Sequence, residues 1–144
     1  MAASGTEEFI NVSSFKVSID GMNWTNYESV GGLGIDLEDI AFQGEKNQIL
    51  NRPGRFTARD VSLIRRYKKD KELYAWIKDI KAGKQTRKSG SVILLDDEEK
   101  EVARFNFFGA WPKAWSGPTL SKDMSGNDTL KEEITLSISD LEMA

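Results

Sequence analysis

Short runs in which apolar and polar residues alternate recur along this chain, and they constrain its fold more than any other feature. Phe15, Val17 and Ile19 alternate with polar neighbours near one end, and Ile134 and Leu136 do so near the other. A period of two places every second side chain on one face, which is typical of a half-buried β-strand. Together with apolar runs between turn residues, these patterns predict about six or seven strands. They lie within residues 15–20, 24–30, 35–42, 57–65, 91–95, 102–108 and 129–139.

One segment has the period of a helix instead. Its apolar residues fall at i, i+3, i+4 and i+7 and therefore share one face. They are Leu73, Trp76, Ile77 and Ile80. Asp70 is a suitable N-cap, and Gly83 is suited to the left-handed position that ends a helix. The spacing predicts one helix over residues 71–82 that packs through its apolar face.

Many strands and a single helix predict a mainly β fold, a small antiparallel β-barrel or two-sheet sandwich with one flanking helix. The 144 residues suit one core, so we predict a single domain over residues 9–144. Residues 1–8 are small and acidic, lack the features of a secretory signal, and are predicted to be a flexible N-terminal arm. No apolar run approaches the roughly 20 residues that span a bilayer, so no membrane anchoring is expected.

The composition argues against catalysis. The chain has no cysteine and no histidine, so it lacks thiol nucleophiles, the commonest general base and the commonest metal ligand. Its net charge of −3 is not that of a dedicated nucleic-acid binder. The densest acidic cluster, residues 96–99, lies at one turn and lacks the ligand spacing of a calcium loop. We expect no enzyme activity, no cofactor and no metal.

Three other segments are candidates for contacts. Residues 43–55 are polar and rich in glycine and asparagine, which predicts a long loop or a protruding hairpin. A basic run precedes the helix and forms either an ionic contact with a polyanion or another subunit, or a solvated connector. It consists of Arg65, Arg66, Lys68 and Lys69.

The third segment, residues 109–124, is predicted to be a rigid aromatic loop. Trp111 and Trp115 in this segment either form a sugar-binding platform or close the end of the core, with Pro112 and Pro118 fixing the backbone.

The order of the motifs along residues 9–143 carries a family resemblance. Its most specific element is a tryptophan- and proline-rich motif followed by an acidic strand. The motif comprises Ala110, Trp111, Pro112, Trp115, Gly117 and Pro118, and the strand begins Glu132-Glu133-Ile134. The combination resembles the inner tube, or tail tube, proteins of contractile phage tails and extracellular contractile injection systems. Arg66-Tyr67 departs from the Arg-Gly turn that family members often have before the helix.

The resemblance implies a structural subunit that forms hexameric rings, which stack into a hollow tube inside a contractile sheath. Its partners would be copies of itself, the sheath protein, and baseplate, hub and tube-terminator proteins. Its cargo would be protein effectors, or DNA in a phage tail. Assembly would take place in the cytoplasm, within a tail-like particle that is then released.

Within this family, we expect the polar segment to reach the next ring. The candidate stacking residues are Gly44, Glu45, Lys46, Asn47, Gln48, Asn51, Arg52, Pro53 and Gly54. The polar faces that alternate with the apolar ones could line the channel. They comprise Lys16, Ser18, Asp20, Thr135, Ser137 and Ser139. The alternatives are a phage tail tube that conducts DNA and, outside this class, a monomeric carbohydrate-binding β-sandwich.

Overall fold

A computed structural model of the chain describes residues 11–20, 22–24, 27–67, 72–118, 120–123 and 130–144, without the side chains of residues 23 and 24. The mainly β fold is confirmed. In chain order the elements are β1 (Ser14–Ile19), β2 (Met22–Trp24), β3 (Tyr27–Gly31), β4 (Ile35–Gln43), β5 (Ile49–Ala58), β6 (Val61–Arg66), α1 (Glu72–Lys81), β7 (Lys88–Leu95), β8 (Glu101–Ser116), β9 (Lys131–Ser137) and β10 (Asp140–Met143). The predicted residues 1–8 of the N-terminal arm lie outside the described residues.

Two antiparallel sheets face each other across the core, and β8 belongs to both. The first half of β8 pairs with β7 and β10, while its second half pairs with β9. At the junction Gly109 has φ of 64°, and a Cβ atom there would overlap the Ser139 hydroxyl. Glycine therefore allows one strand to pass from one sheet into the other.

The sheets form a sandwich rather than a closed barrel. The path of paired strands runs β2-β1-β7-β8-β9-β6-β3, with β10 added beside β8. Within the described residues, β2 and β3 end this path and do not pair with each other. Each of the two therefore leaves one backbone edge without a strand partner in the part of the chain that the structure describes.

Alternation decides which side chains enter the core. In β1 the buried residues Val17 and Ile19 alternate with the exposed residues Lys16 and Ser18, as the sequence pattern predicts. The centre of the core is formed by residues that are almost completely buried. They are Ile19, Val61, Leu63, Val92, Phe107, Ala110, Ile134 and Leu136.

Helix α1 lies within one residue of the predicted bounds at each end. Leu73 and Trp76 are buried, and Ile77 and Ile80 are half-buried against the core. The indole Nε1 of Trp76 donates to the Thr86 carbonyl over 2.9 Å, which joins the helix to the segment before β7. Asp70, the predicted N-cap, lies outside the described residues.

The aromatic segment is a strand as far as Ser116, so its prediction as a loop was wrong for residues 109–116. Pro112 occupies a position in the pairing of β8 with β9 next to a register shift between Pro112 and Ala114. Proline lacks the N–H that a regular strand donates, and the irregularity accommodates it. Gly117 and Pro118 follow the strand.

Candidate assembly surfaces

The β4–β5 hairpin is the largest exposed element. The two strands pair only with each other among the described residues and form a two-stranded sheet apart from the sandwich. Of its side chains only Ala58 is fully buried. A two-stranded ribbon alone in water is marginally stable, so this one needs a partner surface.

The hairpin is also rich in exposed apolar side chains, although its sequence appears polar around the turn. They are Ile35, Leu37, Phe42, Ile49, Leu50 and Phe56. Leu37 is 69% exposed and Phe56 is 55% exposed, and the two lie directly opposite each other in the ladder. Large apolar side chains exposed in this number on one element are typical of a protein–protein contact.

The predicted stacking residues fall into two places on this hairpin. Gly44 to Gln48 form the turn, which is ordered by a bond of 2.8 Å from the Gly44 N–H to the Gln48 carbonyl. Lys46 adopts the left-handed conformation there. Asn51, Arg52, Pro53 and Gly54 lie instead within β5. The Arg52 guanidinium lies 5.7 Å from the centre of the Phe42 ring.

Arg65 is not available for a contact between subunits, so this assignment from the sequence was wrong. Its side chain is 2% exposed and its guanidinium Nε donates to Oε1 of Glu132, which is 3% exposed. The two residues lie directly opposite each other on β6 and β9. Trp115 completes the cluster, because its indole N–H donates to Oε2 of Glu132 over 2.9 Å.

The signal for this buried pair was present in the sequence. Arg65 continues the alternation of Val61 and Leu63, and Glu132 precedes Ile134 and Leu136 at the same spacing of two. Both therefore face the core side of their strands. The charge of the basic run concealed this pattern.

The other basic residues of the run differ in their surroundings. Arg66 is exposed and its Nε lies 3.4 Å from Oε1 of Glu28, while the Lys131 ammonium lies 2.8 Å from Oε2 of Glu28. The bond from Lys131, with a smaller contribution from Arg66, holds the pKa of Glu28 below its usual range. Lys68 and Lys69 lie outside the described residues.

Trp111 and Trp115 lie in different surroundings. Trp111 is half-buried and packs against the core, whereas the Trp115 indole is hydrogen-bonded to Glu132.

The acidic turn at residues 96–99 is ordered by hydrogen bonds within the turn. Oδ1 of Asp96 accepts from the N–H groups of Glu98 and Lys100, each over 2.9 Å. In the part of the chain that the structure describes, no group of acidic side chains is arranged to hold a metal ion.

The polar faces proposed for a channel are partly continuous. Ser18, Ser91, Asn106 and Glu142 are successive cross-strand partners over β1, β7, β8 and β10. Ser91 Oγ donates to Oδ1 of Asn106 over 2.6 Å. Thr135 and Ser137 are half-buried on β9, and Ser139 is exposed.

The described residues contain no helix whose length and hydropathy would let it span a membrane.

These features define a class: β-sandwich domains with open sheet edges and a separate hairpin that exposes apolar side chains. Residues 11–142 match the family model for T4-like virus tail tube protein gp19, and this chain belongs to that family of tail tube proteins. No curated protein sequence matches the chain.

Several solved structures have the same fold. A chain in the cryo-EM structure of an extracellular contractile injection system, the PVC sheath–tube complex in its extended state, has a TM-score of 0.84 and 24% identity, covering 96% of this chain and 93% of that one. A chain in the PVC sheath/tube terminator structure has a TM-score of 0.83 and 25% identity, covering 97% and 99%. A chain in the tube-terminating cap of the anti-feeding prophage has a TM-score of 0.81 and 18% identity, covering 100% and 99%.

Proposed function

We propose that this chain is the repeating structural subunit of the inner tube of an extracellular contractile injection system. Hexameric rings of the chain stack into a hollow tube, and contraction of a surrounding sheath drives the tube and its protein cargo into a target cell. Family membership and the likeness to chains in sheath–tube, terminator and cap structures support this assignment. The subunit is structural and has no catalytic role.

The observation that carries the proposal is the open sheet path together with the separate hairpin. Strands β2 and β3 each present one unpaired edge within the described residues, and the hairpin exposes six large apolar side chains. Exposed edges and apolar ribbons are aggregation hazards in a monomer, but copies in a ring can cover them. Since the two ends of the path differ, their pairing between copies is heterologous, and such contacts close into rings when the rotation permits.

The hairpin turn is the surface that reaches the next ring. Glu45, Lys46 and Asn47 form the end of the ribbon and make their ordered contacts within the turn, so their outer surfaces are available to another copy.

The sheath protein covers the outside of the tube, and baseplate, hub and terminator proteins bind its ends. The particle assembles in the cytoplasm and acts after release.

The polar row from Ser18 to Asn106 forms part of the channel wall. Small neutral side chains bind a passing polypeptide weakly, which suits a surface along which cargo slides. Because the chain has no cysteine, the thiol introduced by Ser18→Cys can be labelled without background. We expect assembled tubes of this variant to protect the thiol from a bulky maleimide reagent applied from outside, whereas rapid labelling along intact tubes would place this face elsewhere.

The proposal is tested in the cell that makes the protein. Deletion of the gene should abolish particles that contain an inner tube, and expression of the chain in trans should restore them. Mass spectrometry of purified particles should identify the chain together with a sheath protein. Particles with normal inner tubes in the deletion strain would refute the assignment.

A further inference from the structure

The apolar side chains of the β4–β5 hairpin form two sets on opposite faces. Near the sandwich, Leu37 lies opposite Phe56 and Ile35 opposite Ala58, so Ile35, Leu37 and Phe56 share one face, here termed the base patch. Near the turn, Phe42 lies opposite Leu50 and Ile40 opposite Arg52, so Ile40, Phe42 and Leu50 share a face, here termed the tip patch.

The two patches point in opposite directions because of the pleat. Residues 35 and 37 are an even number of positions apart, and residues 37 and 40 are not, so side chains of the two sets leave β4 on different sides. A register shift between Leu37 and Asp39 separates them. Ile49, beside the turn and opposite Gln43, is the exposed apolar residue of this hairpin that lies outside both sets.

The two strands also carry opposite charges. Strand β4 contains three acidic residues, Asp36, Glu38 and Asp39, and no basic one. Strand β5 contains two arginines, Arg52 and Arg55, and no acidic residue. Asp36 is already paired with Arg59 of the same chain, so Glu38 and Asp39 supply the acidic side of the ribbon. This acidic β4 side is complementary to the basic β5 side of an identical ribbon, an arrangement that favours head-to-tail contact between copies of this chain.

The base patch and the tip patch lie at different distances from the sandwich, and this difference determines which neighbouring subunit can cover each of them. The base lies next to the sandwich, because short connections lead from β3 into β4 and from β5 into β6 and because Ala58 is buried in the core. The Arg59 N–H donates to the Gly34 carbonyl over 3.0 Å and so joins the two connections. A protein that covers the base patch must therefore lie beside the sandwich. Phe42 is seven residues from Ile35, or about 23 Å along an extended strand. The tip patch therefore lies far from the sandwich, where a subunit of another ring can contact it.

We propose that the hairpin binds two different copies of this chain through its two faces. The base patch packs on the neighbouring subunit of the same ring, and the tip patch packs on a subunit of the adjoining ring. This inference rests on the proposed tube function and adds to it that one element controls ring closure and stacking separately.

A matched series of lysine substitutions tests the division. Leu37→Lys alters the base patch, Leu50→Lys alters the tip patch, and Thr57→Lys is the control, an exposed position that lies opposite Asp36 on the other face from Leu37. Native mass spectrometry measures rings and electron microscopy measures tubes. Far-ultraviolet circular dichroism checks the fold of each variant, and Phe56→Lys repeats the base test should Leu37→Lys not fold.

We expect Leu37→Lys to raise the concentration needed for rings by about tenfold or more, the effect of losing a contact of hot-spot size. Leu50→Lys should form rings at the parental concentration and at least about tenfold fewer tubes. Parental ring formation by the base variants, or loss of rings in Leu50→Lys, would overturn the division. Absence of rings in both the unsubstituted chain and Thr57→Lys is a distinct result, which would overturn the tube function itself.

Discussion

At the scale of single residues, the buried ion pair between Arg65 and Glu132 is the feature that distinguishes this core from a purely apolar one. Each charge has its partner directly across the β6–β9 ladder, and Trp115 supplies a further bond to the carboxylate. A buried pair of this type adds little net stability compared with apolar residues, but the removal of one partner leaves an uncompensated charge.

Glu132→Ala should therefore lower the free energy of unfolding by about 3–5 kcal/mol, because the Arg65 guanidinium stays buried without its carboxylate. Urea denaturation of the dispersed chain measures the change. Glu133→Ala is the control, since its side chain is exposed on the same strand and should change stability by less than about 0.5 kcal/mol. Similar midpoints for the two variants would contradict the account of the pair.

A second residue-scale prediction concerns pH. The Arg59 guanidinium, 2.7 Å from Asp36 through Nη2, holds the pKa of Asp36 below its ordinary value of about 3.9. Because the folded pKa is depressed, the contribution of this pair is complete above about pH 4 and is lost as the pH falls through the folded pKa. The hairpin base should accordingly be most susceptible to opening in acid.

Titration of Asp36 by NMR tests this. The carboxyl should titrate below its ordinary value in the parent chain and return towards that value in Arg59→Ala. An unchanged titration of Asp36 after Arg59 is removed would show that the pair does not shift its pKa.

At the scale of elements, the regular parts of the fold could be predicted and the irregular parts could not. Helix α1 has an apolar face at helical spacing, and β1 and β9 alternate, so local pattern was sufficient for them. The second half of β8 was predicted as a loop because Pro112, at a register shift, breaks the strand pattern. Similarly, Pro53 and Gly54 left residues 43–55 open between a long loop and a protruding hairpin, and the hairpin is the alternative that the structure confirms. Strand β5 is stabilised by its pairing with β4 rather than by its own sequence.

The short strands β2 and β10 account for most of the remaining difference between the predicted and observed strands. Three residues in β2 and four in β10 are too few for a period of two to be recognised. Their extended conformation follows from pairing with β1 and β8, which is a tertiary effect. Local pattern also gave no indication that Leu37 and Phe56 lie opposite each other, because that requires the register of the hairpin.

The helix supplies a prediction at this scale. Trp76→Ala should lower the free energy of unfolding by about 3–5 kcal/mol, since it removes a buried indole that packs in the core and bonds to Thr86. Tyr74→Ala, at an exposed position of the same helix, is the control and should have little effect. Thermal denaturation followed by circular dichroism measures both, and equal losses would mean that the helix does not dock through Trp76.

At the scale of the whole molecule, the fold is suited to assembly. The hairpin is separate from the sandwich and exposes apolar side chains, and the end strands β2 and β3 of the sheet path each have an edge without a strand partner among the described residues. The family and the general architecture could be predicted from the order of motifs, and the polar segment 43–55 was predicted to reach the next ring. The exposed apolar faces of the hairpin could not be predicted, since they depend on register and exposure.

Cryo-electron microscopy of the purified, concentrated chain tests the central claim most directly. The account predicts sixfold rings and hollow stacks of them, with the hairpin of each subunit buried between copies and β2 and β3 edges paired across subunits. A chain that remains monomeric at every concentration, or that assembles with its hairpin exposed to solvent, would contradict it.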